Sequence, residues 1–308
     1  MFYTAVGTAR PFPECQGYIL SAVSDDGLTF RTETGIRVRP QPEISYMSRR
    51  VLCSIVVPAA AGRWRMYYEA RGLAEEPTVI GSAISDDMLN WSIEPGIRIA
   101  SPGGVGGPRY LALGDGRARM YYIESVYAPP GKKGGVRLTQ SVASAITTDG
   151  IHFTREPGYR MRDRQGVYDD VGITAGEVLA PVRPGDDWTM IFSAWQDVPK
   201  GKAAPVHPSH DVAGEAKGVI SDFATASIAA DLAGYRSRIY AAASPDGLNW
   251  GKSHLILEGG GYDSDGIDAV HAEDMSLTKT ADGRYRMYYA ACDRRGNFRI
   301  ASAVTDTG

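Results

Sequence analysis

Apolar and small polar residues alternate along this chain in short runs that end in a turn and then an aromatic residue. Such a run occupies residues 21–30 (Ser-Ala-Val-Ser-Asp-Asp-Gly-Leu-Thr-Phe). It returns at 82–91, 144–153 and 241–250, and a shortened copy begins at Ser302. A period of two, then a turn and an aromatic residue, is typical of strand–turn–strand structure. The pattern therefore predicts an all-β chain made of copies of one unit.

A second element precedes each of these runs. It is rich in Met and Tyr, and its copies are residues 1–5, 65–70, 119–124, 189–194 and 286–291. Apolar stretches before it and short strands after the turn, at 35–38, 96–99 and 158–161, make four strands in each unit: inner, second, third and outer. We number the units one to five in chain order.

The spacing of the closing aromatic residues sets the length of the unit. Phe30, Trp91, Phe153 and Trp250 are separated by 61, 62 and 97 residues, so the unit is about 61 residues long and one copy carries an insertion of about 36. This period is too long for a solenoid coil and too regular for a β-sandwich. We therefore predict a single domain over residues 1–308, a five-bladed β-propeller with four-stranded antiparallel blades.

Repeated acidic residues in the turns have a structural interpretation. Asp25, Asp87, Asp149 and Asp246 are expected to bond their own backbone. We exclude them from any functional site on that ground. The repeated Tyr pairs are likewise assigned to packing between strands.

The repeats, the Met-Tyr-Tyr strands and the Ser-x-Asp-Gly-(Leu/Ile)-x-(Phe/Trp) turns resemble the five-bladed propeller glycosidases. This superfamily includes arabinanases, xylosidases, invertases, levansucrases and the mannoside phosphorylases. Residues 271–277 (His-Ala-Glu-Asp-Met-Ser-Leu) look like the Glu-Asp-Pro-Arg segment of the phosphorylases, with Met275 and Ser276 in place of Pro and Arg. The resemblance implies a carbohydrate-active enzyme that cleaves a glycosidic bond in a central pocket with two carboxyl groups.

Aligning the units by their Met-Tyr-Tyr strands places a set of polar residues on or beside the inner strands, which line the axis of a propeller. The set comprises Tyr46, Arg49, Arg50, Arg109, Tyr110, Asp169, Asp170, Glu177, Asp268, His271, Glu273 and Asp274. Glu177 is the candidate acid, because apolar neighbours would keep its carboxyl protonated. Asp170 or Asp274 is the candidate base.

Six further members of this set are candidate substrate-binding residues: Tyr46, Arg49, Arg50, Arg109, Tyr110 and Glu273. Arg50 and Arg109 in particular would clamp a carboxylate, a phosphate or a sugar hydroxyl. The alternative is that arginines and carboxylates pair across the axis and hold the units together.

His271 has three interpretations: a catalytic proton shuttle, a ligand of an axial metal such as the calcium of the resembling arabinanases, or a hydrogen-bonded structural histidine. No second His or Cys has ligand spacing, so the sequence predicts neither a transition-metal site nor a cofactor. Cys15, Cys53 and Cys292 are expected to be buried thiols.

Two insertions, residues 125–140 and 196–236, are expected to be loops near the pocket mouth. The second contains His207 and His210, and we expect a short helix near residues 222–232.

Composition narrows the classes of partner. The chain has a net charge of −3 with mixed signs, which disfavours nucleic acid. No apolar run is long enough for a membrane span, and residues 1–7 lack signal-peptide features, so we expect a cytoplasmic protein. The expected ligand is a saccharide or another small molecule, and the sequence predicts no oligomeric state.

Unit one begins at its second strand, and in the resembling families the inner strand of the first blade carries an essential carboxylate. Two alternatives to a glycosidase therefore stay open. One is a non-hydrolytic enzyme, a lyase, isomerase or cyclase, that binds an anionic metabolite through Arg50, Arg109 and His271. The other is a sugar-binding protein without catalytic activity.

Overall fold

The computed structural model describes residues 1–6, 16–73, 76–128, 137–162, 173, 176–196, 236–261, 264–295 and 297–305. These residues contain no helix long and apolar enough to span a membrane. The predicted all-β architecture is confirmed for them, since their regular elements are strands and two short 3-10 turns, Ser45–Met47 and Ala60–Gly62.

The strands are β1 Phe2–Val6, β2 Gly17–Val23, β3 Arg31–Thr32, β4 Arg50–Pro58, β5 Trp64–Arg71, β6 Val79–Ser85, β7 Ser92–Ile99, β8 Val105–Ala112, β9 Ala118–Ala128, β10 Arg137–Thr147, β11 Thr154–Arg155, β12 Glu177–Leu179, β13 Trp188–Gln196, β14 Arg236–Ser244, β15 His254–Leu257, β16 His271–Lys279, β17 Tyr285–Cys292 and β18 Phe298–Val304.

One antiparallel hairpin of second and third strands recurs along the chain. It is formed by β1–β2, β5–β6, β9–β10, β13–β14 and β17–β18. Inner strands β4, β8, β12 and β16 pair with the second strands β5, β9, β13 and β17. Outer strands β3, β7, β11 and β15 pair with the third strands β2, β6, β10 and β14.

The predicted short strands after the turn are only partly regular. Strand β7 runs through residues 96–99, whereas in units one and three the outer strand ends early. There, Val38 and Met161 contact the third strand through the isolated bridges Ile19↔Val38 and Val142↔Met161.

Tyrosines of the second strands join three of the units to the unit that follows. The hydroxyls of Tyr67, Tyr121 and Tyr288 donate to the carbonyl oxygens of Gly150, Gly247 and Gly27 at 2.7, 2.9 and 2.8 Å. The last of these bonds joins unit five to unit one. Edge-to-face ring pairs repeat the same order: Phe2–Trp91, Tyr67–Phe153, Tyr121–Trp250 and Tyr288–Phe30. The Met-Tyr-Tyr strands are therefore buried because they pack between units, as their apolar composition predicts.

The turn prediction is correct in three units and wrong by one residue in unit one. Asp87, Asp149 and Asp246 each accept two backbone N–H bonds within their own turn. In unit one Asp26 does this, not Asp25, because Asp26 precedes the glycine with the positive φ of 69°. Asp25 instead lies on the surface beside Arg31.

The predicted loop at 125–140 is shorter than expected. Strands β9 and β10 continue through it in register, with Ser125 opposite Gln140 and Ala128 opposite Arg137. The long insertion begins the same way, since Gln196 pairs with Arg236. Both insertions therefore extend the hairpin between second and third strands. That hairpin end is also where the inner strands begin, since Arg50 lies opposite Arg71.

Candidate functional site

Three inner strands carry the same irregularity at the same place. The ladder between inner and second strand shifts register between Leu52 and Ile55, between Gly106 and Arg109, and between Glu273 and Ser276. In each strand the first residue of the shift has a positive φ: 50° at Cys53, 54° at Gly107 and 49° at Asp274. A β-bulge of this kind re-aims the side chains that follow it.

The preceding unit holds the backbone of each bulge. The N–H of Cys53 donates to Thr4 Oγ1 at 3.0 Å, that of Gly107 to Glu69 Oε2 at 3.2 Å, and that of Asp274 to Ser193 Oγ at 3.4 Å. The acceptors Thr4, Glu69 and Ser193 occupy one equivalent position on the second strands. A polar side chain at this position therefore fixes the bulge of the following unit.

The position after the bulge, and its equivalent in β12, holds a different residue in each of units two to five. Ile55, Arg109, Glu177 and Ser276 all lie opposite the first Tyr of the Met-Tyr-Tyr pattern or its equivalent, Ile191. The turn aspartates and the second-strand tyrosines largely repeat between units, so variation at this inner-strand position makes it a candidate for a specialised site. The structure brings three of the four together: Arg109 Nε lies 3.5 Å from Glu177 Oε1, and Ser276 hydrogen-bonds Glu177.

Glu177 is a desolvated carboxyl with compensating partners. Burial raises its pKa, and the Arg109 guanidinium, the Ser276 hydroxyl and the N–H of Leu277 lower it in part. Glu177 is the first residue of β12. The guanidinium also donates to the carbonyl of Met275 at 3.3 Å, which ties unit three to the bulge of unit five.

Asp274 is the most strongly perturbed carboxyl of the site. Desolvation raises its pKa well above the usual range, and the charges of Glu273 and Glu69 raise it further, while Arg109 acts in the opposite sense. The side chain is nonetheless accessible to solvent. Such a combination is characteristic of acid–base residues.

Glu69 is a buried carboxylate that the sequence reasoning missed. Its Oε1 accepts from Arg71 Nε at 2.8 Å, and its Oε2 accepts from the backbone of Gly107. The carboxylate lies directly over Gly106, where a Cβ would come within 2.1 Å of Oε2. The departure of Glu69 from Thr4, Ile123, Ser193 and Ala290 at the same position was the available signal.

Cys53 brings a thiol to the same cluster. Burial raises the pKa of this thiol well above its ordinary value, and the negative charges of Glu69 and Asp274 add to that effect. The thiol is therefore protonated at neutral pH. Cys53 and Cys292 are free, and Cys15 lies outside the described residues.

His271 lies at the start of β16 and is almost fully buried. Its Nδ1 is 3.0 Å from Ser237 Oγ and 3.7 Å from Glu273 Oε2, and its ring stacks on Phe298 at 5.9 Å. Desolvation lowers its pKa to about 4. A neutral, hydrogen-bonded ring fits the structural interpretation better than the proton shuttle.

The other predicted site residues lie in different environments. Tyr46 packs against the core of unit two, and Tyr110 stacks on Tyr67 with ring centroids 5.4 Å apart, so both contribute to packing. Arg49 bonds neighbouring strands through its backbone. Arg50 is buried at the start of β4.

Glu273 and Asp268 differ in their relation to the axial cluster. Glu273 lies beside Asp274, whereas Asp268 accepts from Tyr289 Oη and the Gly260 N–H at 2.8 and 2.7 Å. Asp169, Asp170, His207, His210 and the expected helix at 222–232 lie outside the described residues. Within the described part of the chain, no three His, Cys, Asp or Glu side chains are grouped to hold a metal.

Comparison with solved structures identifies the architecture. The chain matches a thermostable family-43 glycoside hydrolase with a TM-score of 0.65 at 13% identity, over 98% of this chain and 85% of that one. The chain has a β-propeller fold. It also matches the β-1,2-mannobiose phosphorylase of Listeria innocua in complex with β-1,2-mannobiose, with a TM-score of 0.63 at 15% identity, over 94% and 67% of the two chains. A third match is the endo-arabinase of Bacteroides thetaiotaomicron, with a TM-score of 0.60 at 11% identity, over 99% and 88%.

Sequence comparison adds no family assignment. No protein-family model matches the chain, and no curated protein sequence matches it either. At identities of 11–15% the likeness in structure concerns the fold. Function has to be argued from the site itself.

Proposed function

We propose that this protein is a carbohydrate-active enzyme that cleaves a glycosidic bond at the axis of a five-bladed propeller. The observation that carries the proposal is the pair of desolvated carboxyls, Glu177 and Asp274, on inner strands of neighbouring units with Arg109 acting on both. Two carboxyl groups, one protonated and one ionised, are what acid–base cleavage of a glycoside requires. The solved propellers above include a glycoside hydrolase, an endo-arabinase and a phosphorylase bound to a disaccharide.

Electrostatics favour Asp274 as the acid and Glu177 as the base or nucleophile. The carboxylate form of Glu177 is stabilised by Arg109, Ser276 and a backbone N–H, so it ionises more readily than its burial alone allows. The proton on Asp274 is retained because desolvation and Glu273 oppose its loss. This assignment reverses the roles expected from sequence. It follows the rule that environments which push two pKa values apart separate acid from base.

The carboxylates that already face the arginines favour a neutral sugar, rather than an anionic metabolite, as the substrate. Arg71 is paired with Glu69 at 2.8 Å, and Arg109 lies 3.5 Å from Glu177. A guanidinium that already faces a carboxylate is a poor clamp for a second anion, because the first partner would have to be displaced. The alternative of a non-hydrolytic enzyme with an anionic substrate is therefore second.

Hydrolysis of a panel of aryl glycosides and disaccharides, with and without inorganic phosphate, tests the proposal. Wild type, Asp274→Asn and Glu177→Gln are compared with Glu156→Gln, a matched control far from the axis. We expect both axial variants to lose about a thousandfold or more in kcat/KM, the size of an acid–base contribution, and the control to keep its activity. Well-folded wild type that cleaves no sugar of the panel would contradict the proposal.

A further inference from the structure

The bulge of strand β16 has a backbone conformation that needs support from outside the strand. Two residues, Asp274 and Met275, stand where the partner strand has one, Tyr289. Asp274 has a φ of 49°, in the left-handed region. A residue other than glycine keeps this conformation only where its surroundings hold it.

This bulge carries or contacts each member of the proposed axial site, which comprises Asp274, Glu177 and Arg109. Asp274 is its first residue, and the carbonyl oxygen of Met275 accepts from Arg109 at 3.3 Å. Residues 276–277 donate to the Glu177 carboxylate, the first through its hydroxyl and the second through its N–H. A change in the shape of the bulge would therefore turn the acid and remove hydrogen bonds from the base at the same time.

Ser193 of strand β13 supplies a polar contact that holds the bulge from the preceding unit. Its side chain is fully buried, and its Oγ accepts from the N–H of Asp274 at 3.4 Å. Thr4 does the same for Cys53 at 3.0 Å, and the φ of Cys53, 50°, matches that of Asp274. The same hydroxyl acceptor thus accompanies the same backbone conformation in two units, and in one of them the residue that it holds is a carboxyl.

We propose that Ser193 is a positioning residue of the axial site: its hydroxyl fixes the bulge at residues 274–277, which sets the direction of the Asp274 side chain and keeps the hydrogen-bond donors of Glu177 in place. This inference rests on the proposed function, because it takes these two carboxyls as acid and base. Ser193 is fully buried, so it acts through the backbone of the next unit and not by contact with substrate.

The two carboxyls should respond in opposite directions when this hydroxyl is removed. Glu177 loses donors that stabilise its charged form, so its pKa rises. Asp274 gains contact with water, which relieves the desolvation that raises its pKa, so that pKa falls. The groups that face these carboxyls stay in place: Arg109 for both, and Glu69, Glu273 and the Cys53 thiol for Asp274.

These opposite shifts give Ser193→Ala a kinetic signature. The base acts when it is ionised and the acid when it is protonated. The acidic limb of the pH profile of kcat/KM should therefore move up and the alkaline limb down, so that the profile narrows from both sides. At the optimum we expect a loss of about tenfold in kcat/KM, because small displacements in a site are costly.

Two further variants separate positioning from a general loss of stability. Ser144→Ala is the matched control, since this hydroxyl is also fully buried but bonds Glu156 at 2.6 Å in an outer triad. It should keep the wild-type pH profile, even where its melting temperature falls. Ser193→Thr keeps a hydroxyl in the manner of Thr4 and should restore most of the activity. A loss in Ser193→Ala with an unchanged pH profile, or one that threonine does not restore, would overturn the inference.

A measurement without substrate distinguishes failure of this inference from failure of the proposed function. The pKa of Asp274 is followed by NMR in unliganded protein that contains aspartate labelled with carbon-13 at the side-chain carboxyl, and Asp274→Asn assigns the signal. The pKa should be lower in Ser193→Ala than in wild type and unchanged in Ser144→Ala. This result in a protein that cleaves no sugar would support the role of Ser193 and contradict the proposed function. Active wild type with the same pKa of Asp274 in Ser193→Ala would contradict the role of Ser193 alone.

Discussion

Arginine and glutamate meet in two regions of this propeller, and the two regions behave in opposite ways. In the outer triads Arg65 clamps both oxygens of Glu94 at 2.8 and 2.9 Å, and Ser82 adds a third bond. At the axis Arg109 approaches Glu177 at 3.5 Å and acts on Asp274 through its charge. The outer arrangement occurs in both unit two and unit three, whereas the axial one occurs at positions that differ between units.

The pKa values record the same difference. Burial would raise the pKa of Glu94, but the bonds from Arg65 and Ser82 overcome it and the pKa is lowered. The pKa values of Glu177 and Asp274 stay raised, because their partners do not fully compensate desolvation. Repeated, fully satisfied charges hold the units together. Unrepeated, incompletely satisfied charges are the candidates for chemistry.

Gly106→Ala should disturb the axis most strongly of the variants that leave both proposed catalytic carboxyls in place. The added Cβ displaces the Glu69 carboxylate, which would move the bulge at Gly107 and the Arg109 that follows it. We expect kcat/KM to fall by about 10- to 100-fold, because small displacements in a site are costly. Gly251→Ala is the control, since its Cβ meets only Ala243 O at 3.4 Å. Equal activity of the two variants would mean that Glu69 has no role in placing the site.

Glu94→Gln tests the outer triads. It leaves the Arg65 guanidinium without its carboxylate and should lower the free energy of unfolding by about 1–3 kcal/mol. The measurement is urea unfolding, with kcat/KM determined on the same preparation. Activity should be unchanged, because the triad does not touch the axis. A variant of wild-type stability would show that the triads are not structural.

Glu69→Gln should shift the pH profile of cleavage without abolishing it. Removing this negative charge lowers the pKa of Asp274, so the acid is lost at a lower pH and the alkaline limb of kcat/KM moves down by about half a unit. Other charges facing Asp274 are those of Glu273 and Arg109, and both remain. A control for the loss of a buried carboxylate is Glu94→Gln, whose profile should match that of wild type. An upward shift would contradict the assignment of Asp274 as the acid.

The smallest expected effect concerns stability. A carboxyl whose pKa is raised by folding contributes stability below its unfolded pKa, and this contribution is lost as pH rises through the folded value. Asp274→Asn cannot ionise, so its melting temperature should exceed that of wild type by about 1–3 °C at pH 8. The difference should shrink as pH falls towards 4. A difference in melting temperature that stays constant across this pH range would show that desolvation does not raise the pKa of Asp274.

The fold could be predicted from the sequence because the units repeat one pattern. Turn aspartates, Met-Tyr-Tyr strands and aromatic residues recur at nearly fixed spacing, and they describe the packing between units. One turn was assigned to Asp25 instead of Asp26, since two aspartates stand together before Gly27 and only hydrogen bonding distinguishes them.

The candidate site could be predicted from the sequence only in part. Glu177, Asp274 and Arg109 stand out as charged residues on inner strands, but their roles depend on desolvation, which spacing does not reveal. Tyr46 and Tyr110 are residues of a type that often contacts ligands, and the sequence predicted that role for them. In the structure they pack in the core instead. The sequence did not predict Glu69 as a site residue, because Glu69 lies within a strand whose repeated pattern indicates packing.

The most direct test of the account compares Asp274→Asn with Glu156→Gln, with kcat/KM and melting temperature measured on the same preparations. We predict that Asp274→Asn loses about a thousandfold of its activity and keeps or raises its melting temperature. Glu156→Gln should keep its activity and melt several degrees lower, because its bonds to Arg119 and Ser144 are structural. Retained activity in Asp274→Asn, or parallel losses of activity and stability in both variants, would contradict the account.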